Sequence, residues 1–112
     1  MENLKSVTMV RLRSWREVLM ELKVFTLPTC PTCPTAKSVT SLIAQKLGVT
    51  YREVNLATEE GLKEGRTYDI MSTPSIVLDD EVIVRGRLIA GEKLEEEVKK
   101  RLEKWRDRAL TQ

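Results

Sequence analysis

An α/β fold with a four-stranded mixed sheet flanked by helices, in the order βαβαββα, is what this sequence predicts, and three observations predict it. Residues 22–26 and 49–54 are short apolar runs of strand length, and between them apolar residues step by three and four. Strand, helix and strand joined by one helical crossover make a right-handed parallel unit. Residues 75–78 and 82–84 are two further apolar runs, separated only by Asp79, Asp80 and Glu81, which is the spacing of an antiparallel hairpin. A charged stretch from Glu92 then keeps Leu94, Val98, Leu102 and Trp105 on one helical face.

The elements follow in order. In residues 1–20, Leu4, Val7, Leu12, Trp15, Val18 and Leu19 alternate with Arg and Lys at helical steps, although Ser6, Val7 and Thr8 are poor helix formers. Four readings of this extension stay open: an extra helix docked on the domain, a loose tail, a consequence of start-site choice, or a basic amphipathic membrane anchor. Met20 opens a complete domain without it. The chain therefore divides into an N-terminal extension at 1–20, one domain at 21–108 and a C-terminal tail at 109–112.

The first strand is followed by a helix whose apolar stripe is Ala36, Val39, Ile43 and Leu47, with Leu42 adjoining, and which stops at Gly48. Pro34 is tolerated only in a first turn, so this helix begins around Cys33. After the second strand, residues 58–64 read as a short helix with Thr58 as N-cap and Gly61 weakening its middle. A loop over residues 69–73 leads to Pro74 and the hairpin. Gly86 and Gly91 bracket the connection to the last helix, expected over residues 92–108.

Length and composition exclude several functions. At 112 residues the chain is one domain with one modest core. Its net charge of +2, with basic and acidic residues interleaved, gives no nucleic-acid footprint. Two Trp, two Tyr and one Phe leave no platform for stacking bases. Histidine is absent, which removes a His general base, a Cys–His pair and the commonest metal ligand together. No run approaches the roughly 20 apolar residues of a membrane span. Arg11, Arg13, Arg16 and Glu17 interrupt any secretory apolar region. The cytoplasm is the expected location. Only two Asn and two Gln beside abundant Lys, Arg and Glu hint at a thermophile.

The chemistry lies in the only two cysteines, Cys30 and Cys33 of Thr29-Cys30-Pro31-Thr32-Cys33-Pro34. Two intervening residues bring the sulfurs within reach of one disulfide if the segment is a loop turning into a helix. They are too few for a zinc site built by one chain. Their place is a strand-to-helix corner, where unpaired backbone N–H groups favour a thiolate. An inert structural pair, or half of a zinc or iron–sulfur site shared by two chains, are the rival readings.

The element order and the Cys-x-x-Cys between first strand and first helix resemble the thioredoxin fold. Phe25-Thr26-Leu27-Pro28-Thr29-Cys30-Pro31-Thr32-Cys33 is similar to a glutaredoxin corner, in which proline follows the first cysteine. Ser72-Thr73-Pro74-Ser75 stands where that superfamily has a cis-proline loop. Gly86 through Leu94 resembles its glycine-marked turn into the last helix. The similarity covers about residues 21–104 and is closest to the short, glutaredoxin-like thioredoxins of archaea and bacteria. Departures are visible. The Trp-Cys-Gly-Pro-Cys run of ordinary thioredoxins is missing. Their buried Asp six residues before the first cysteine is Val24 here. Arg85-Gly86-Arg87 followed by Leu88 replaces the Gly-Gly and acidic pair of glutaredoxins, which argues against glutathione as specific partner.

The resemblance implies a thiol–disulfide oxidoreductase that reduces protein disulfides. Cys30 is then the nucleophile and Cys33 the resolving thiol, which closes the intramolecular disulfide as reduced substrate leaves. Pro31, lacking an N–H, tunes the reduction potential. Pro74 is expected cis, and Thr73 presents backbone to an extended substrate. Thr29, Thr32 and Met71 complete the expected substrate contacts, with Leu27, Pro28 and Ile70 as an apolar rim. No side chain stands out as base for Cys33, and Lys37 reads as a solvated lysine. No bound cofactor and no metal are expected. Electrons come from a thioredoxin reductase or a low-molecular-weight thiol, and the chain is expected to be monomeric. A glutathione-linked glutaredoxin and a non-enzymatic metal- or Fe–S-carrying dimer are the alternatives.

Overall fold

The computed structural model describes residues 20–110. The N-terminal extension before Met20, the side chain of Trp105 and the last two residues of the expected tail lie outside the described residues. The elements are β1 (Glu21–Thr26), α1 (Cys33–Leu47), β2 (Thr50–Asn55), α2 (Glu59–Thr67), β3 (Ser75–Leu78), β4 (Glu81–Val84) and α3 (Gly91–Leu110). The sheet order is β2-β1-β3-β4. Parallel pairing runs from Glu21 opposite Thr50 to Thr26 opposite Asn55. β1 is antiparallel to β3, with Phe25 opposite Ser75, and β3 is antiparallel to β4. The predicted α/β fold with its mixed sheet is the one observed.

Alternation along β1 builds two cores, because successive side chains of a strand point to opposite faces. Leu22 and Val24 pack with Ala36, Ile43, Ile76, Leu78, Leu94 and Val98 beneath α1 and α3. Phe25 packs on the other face with Val54, Leu56, Ile70 and Val77. There α2 lies close: a Cβ on its Gly65 would stand 2.7 Å from Leu56 Cδ2. α1 ends as its sequence demands, at Gly48 with φ 75°, whose N–H returns to Ala44 O.

Several boundaries and burials differ from expectation. α2 continues to Thr67 rather than 64. Gly61 sits in its first turn, where its N–H donates to Thr58 Oγ1 at 2.9 Å. A Cβ there would overlap the Asn55 carbonyl, so glycine lets the helix start against the end of β2. α3 runs past residue 108 to Leu110. The hairpin turn is Asp79-Asp80, with Asp79 in the left-handed region at φ 58°, and Glu81 already belongs to β4. Leu42 is 64% exposed, and Thr40 and Ala44 take the buried positions of α1 instead.

Two polar groups are buried in different ways. Lys23 enters the α2 face from β1, where its Nζ donates to Tyr68 OH at 2.7 Å and pairs with Glu64 at 3.1 Å. Burial, the largest influence, favours its neutral amine, but the hydrogen bonds and charges of Tyr68 and Glu64 outweigh this and raise its pKa. Glu64 is held below the usual carboxylate range, first by its hydrogen bond from Arg52 and then, against burial, by Lys23. Thr40 is fully buried, and among the described residues its Oγ1 has no hydrogen-bond partner.

Two measurements check this account. Thr40→Val keeps the shape and removes an unsatisfied hydroxyl, so thermal unfolding should shift upward by a few degrees, on the order of 1 kcal/mol. Glu64 has a depressed folded pKa, so its stabilisation is present above the unfolded value and lost as pH falls through the folded one. The stability gap between the native chain and Glu64→Gln is therefore expected to be widest near neutral pH and to close below about pH 4 in urea titrations.

Candidate active site

The site starts where β1 stops. Leu56 N donates to Thr26 O at 2.9 Å, the last rung beside β2, and the chain then leaves the sheet. Cys30 N donates to Leu27 O at 3.1 Å and Cys33 N to Cys30 O at 3.4 Å, two tight turns that bend the backbone into α1. Thr32 is the N-cap, with φ −98° and ψ −2°, and its hydroxyl caps no helical N–H. It lies instead 3.9 Å from Cys30 Sγ. Pro34 occupies the first turn, where its missing N–H costs nothing.

Cys30 and Cys33 are joined in a disulfide with Cα atoms 5.4 Å apart. Their exposure is unequal. Cys30 is half-buried, between exposed Thr29 and exposed Pro31 and Thr32, whereas Cys33 is 3% exposed. The start of α1 lends this corner the partial positive charge of a helix N-terminus. Pro31 and Pro34 withhold two backbone donors from it.

A second loop leaves the sheet at the same end. Because Phe25 pairs with Ser75, Pro74 emerges from β3 beside the point where β1 gives way to Leu27. The Thr73–Pro74 peptide bond is cis. Pro74 is buried, Thr73 is half-buried, and Met71 stands 82% exposed. Ile70 is 1% exposed and belongs to the second core, so it forms no part of a rim. The loop is tied by Ser75, fully buried, whose Oγ donates to Ser72 O at 2.7 Å and accepts from Gly86 N at 3.0 Å. Gly86 has φ 72°, and a Cβ on it would run into the Ser72 hydroxyl.

Below the sulfurs lies a cleft of about 150 Å³, lined by both cysteines, Pro28, Thr26, Lys37, Glu53 and their neighbours. Thr26 Oγ1 donates to Glu53 Oε2 at 2.8 Å, and Lys37 Nζ stands 3.5 Å from Glu53 Oε1. Lys37 is thus a paired cation of the site, not merely a solvated one. Glu53 and Thr26 are site residues that the sequence alone did not single out. The signal was there in the alternation of β2, but only the register opposite Val24 turns Glu53 toward α1. Val24 itself is fully buried in the first core. Among the described residues no group of three or more His, Cys, Asp or Glu side chains is placed to hold a metal ion.

A family described as the thioredoxin domain matches residues 20–99. A probable thioredoxin of Archaeoglobus fulgidus is 37% identical over 74 residues, covering 66% of this chain and 81% of that protein. Among solved structures, a thioredoxin-like protein from Clostridium perfringens superposes with a TM-score of 0.62 at 19% identity, over 80% of this chain and 75% of the other. A mutant thioredoxin from Halobacterium salinarum gives 0.62 at 17% identity, over 83% and 82%. At such identities the structural likeness speaks for the fold.

The Ser75 knot generates a prediction. Ser75→Ala leaves Ser72 O and Gly86 N without their shared partner, and is expected to destabilise the chain by about 1–3 kcal/mol. Amide exchange at Gly86 should accelerate more than in the centre of β1; equal acceleration at both would show that the hydroxyl does not hold this loop.

Proposed function

From the premise that the chain belongs to the thioredoxin domain family, we propose that it reduces protein disulfides through one dithiol/disulfide cycle at Cys30 and Cys33. Family membership and the Cys30–Cys33 disulfide together identify a thiol–disulfide oxidoreductase. The observation that carries the finer reading is the unequal exposure of the two sulfurs at the start of α1.

In this reading the reduced Cys30 sulfur is the nucleophile. A thiolate at a helix N-terminus is favoured, and Cys-x-x-Cys sites lower the pKa from about 8.5 into the range of roughly 3.5–7.5. The Thr32 hydroxyl, close to Cys30 Sγ, supplies a further donor. Cys30 attacks one substrate sulfur, its partner leaves as a thiolate, and a mixed disulfide forms. Cys33, poised on the first turn of α1, then attacks Cys30 Sγ. The Cys30–Cys33 bond forms, the bond to substrate breaks, and two electrons have passed to the substrate.

The other loop serves recognition. Thr73, next to the cis bond, offers backbone groups to an extended peptide, Thr29 and Pro31 flank Cys30 in the chain, and exposed Met71 adds an apolar contact from the second loop. Pro31 also limits the donors available to the Cys30 sulfur and so sets the potential. The chain would work in the cytoplasm as a monomer, recharged by a thioredoxin reductase or a low-molecular-weight thiol.

The test is reduction of insulin disulfides with dithiothreitol as electron source. The native chain should catalyse it, Cys30→Ser should abolish it, and Cys33→Ser should accumulate mixed disulfides through Cys30. Iodoacetamide at pH 7 should modify Cys30 at least about tenfold faster than an unperturbed thiol. An ordinary rate there, with no trapped adduct, refutes the assignment.

A further inference from the structure

The second half of the cycle proposed above needs a second thiolate, and the position of Cys33 makes one hard to form. It is 3% exposed on the sheet side of α1, next to Ala36 and Thr40 in the same buried stripe. Removal from water disfavours the charged form of a thiol, so a group able to take its proton has to be close. Among the described residues, the cleft that reaches Cys33 is lined by one carboxylate, Glu53.

Glu53 is held for such a task from two elements. Thr26, the last residue of β1, fixes Oε2 by a hydrogen bond of 2.8 Å. Lys37, one turn along α1 from Cys33, faces Oε1 at 3.5 Å. The carboxylate is open to solvent as well as to the cleft, its side chain 39% exposed. The remaining polar neighbours are Asn55 in the cleft and Tyr51, two residues along β2. Burial first and the Glu53 charge second push the Tyr51 phenol upward, which keeps it neutral and leaves Glu53 as the acceptor. At about 150 Å³ the cleft has room for several waters at roughly 30 Å³ each.

We propose that Glu53 takes the proton of the Cys33 thiol through water in this cleft during resolution of the mixed disulfide, an assignment that rests on the dithiol cycle. The Cys33 S–H bond breaks and its proton passes to the carboxylate. The freed electron pair on Cys33 forms the bond to Cys30 Sγ, and the Cys30–substrate bond breaks with its pair on the substrate sulfur. That sulfur is protonated from solvent or by the Glu53 acid, which restores the carboxylate. Lys37 and Thr26 act as positioning residues.

The experiment is single-turnover reduction of a disulfide-bonded peptide by the fully reduced chain between pH 5.5 and 9.5, with Cys30 alkylation measured in parallel. Glu53→Gln keeps the size and the bond from Thr26 but removes the proton acceptor. Its turnover should fall about tenfold or more between pH 6 and 8 and approach the native rate towards pH 9.5, where hydroxide can take the proton instead. Glu53→Asp, which keeps a carboxylate, should retain a native-like pH profile at reduced rate. Cys30 alkylation should stay within about twofold in both variants.

A Glu53→Gln profile equal to the native one overturns the proposal, as does a drop by the same factor at every pH, which is what a purely structural role gives. A Glu53→Asp profile matching that of Glu53→Gln overturns it, and so does a loss of Cys30 alkylation in step with turnover. Should the native chain itself fail to reduce the peptide, the dithiol cycle falls and not merely the role of Glu53.

Discussion

The parallel pairing of β1 with β2 is the constraint on which the site depends. It brings Glu53 opposite Val24 and ends with Thr26 opposite Asn55. A parallel connection needs a crossover of a dozen or more residues. The chain meets that requirement with α1, so the corner between β1 and α1 has to lie at the carboxyl end of β1. The cysteines occupy that corner. A slip of one residue would exchange the faces of β2 and turn Glu53 from α1 toward α2. It would also place Val54, now in the second core, against the wrong layer.

The antiparallel pairing of β1 with β3 adds the other half. It delivers Pro74 to the same end of the sheet from a point more than forty residues downstream of Cys30. The loop's shape comes from a polar knot rather than from apolar packing. Ser75 bonds two backbone groups, and Gly86 supplies both a positive φ and the absence of a Cβ where Ser72 comes close. A buried hydroxyl with both partners in place rigidifies its surroundings. Thr40, buried without such partners among the described residues, shows the opposite case in the same domain.

Much of this was legible in the chain because local signals agreed. Pro34 and Gly48 mark the two ends of α1, and the Leu94, Val98, Leu102 stripe marks the buried face of α3. The Cys-x-x-Cys spacing at a strand-to-helix junction pointed to the chemistry. What escaped were features set by pairs of distant residues. Glu53 reads as an ordinary exposed acid in Val49-Thr50-Tyr51-Arg52-Glu53-Val54, and only the register gives it Thr26 and Lys37. Lys23 looks out of place in a buried strand until Glu64 arrives from α2 and Tyr68 from its C-cap. The apolar stripe read from the spacing has Leu42 adjoining it, yet the sheet-facing stripe turns through Thr40 and Ala44. Gly61 reads as a weak point in α2, because the Asn55 carbonyl that requires it belongs to another element.

Size and chemistry also separate on this molecule. The larger apolar hollow, about 540 Å³, lies along α1 and α3 between Val39, Leu42, Ile43 and Gly91. It contains no thiol, and the reacting sulfurs sit by a cleft less than a third as large. A site that reacts with a disulfide on another protein has no need to enclose it. In the proposed cycle it needs one sulfur half-exposed among small side chains, a neighbouring loop with backbone to offer, and a second sulfur kept from solvent until the first has reacted. Burying Cys33 protects it from competing thiols but makes its proton harder to remove. In the proposed cycle, the same burial that would order the two steps also creates the demand for a nearby proton acceptor, and the β2 register sets Glu53 in the cleft where that demand arises.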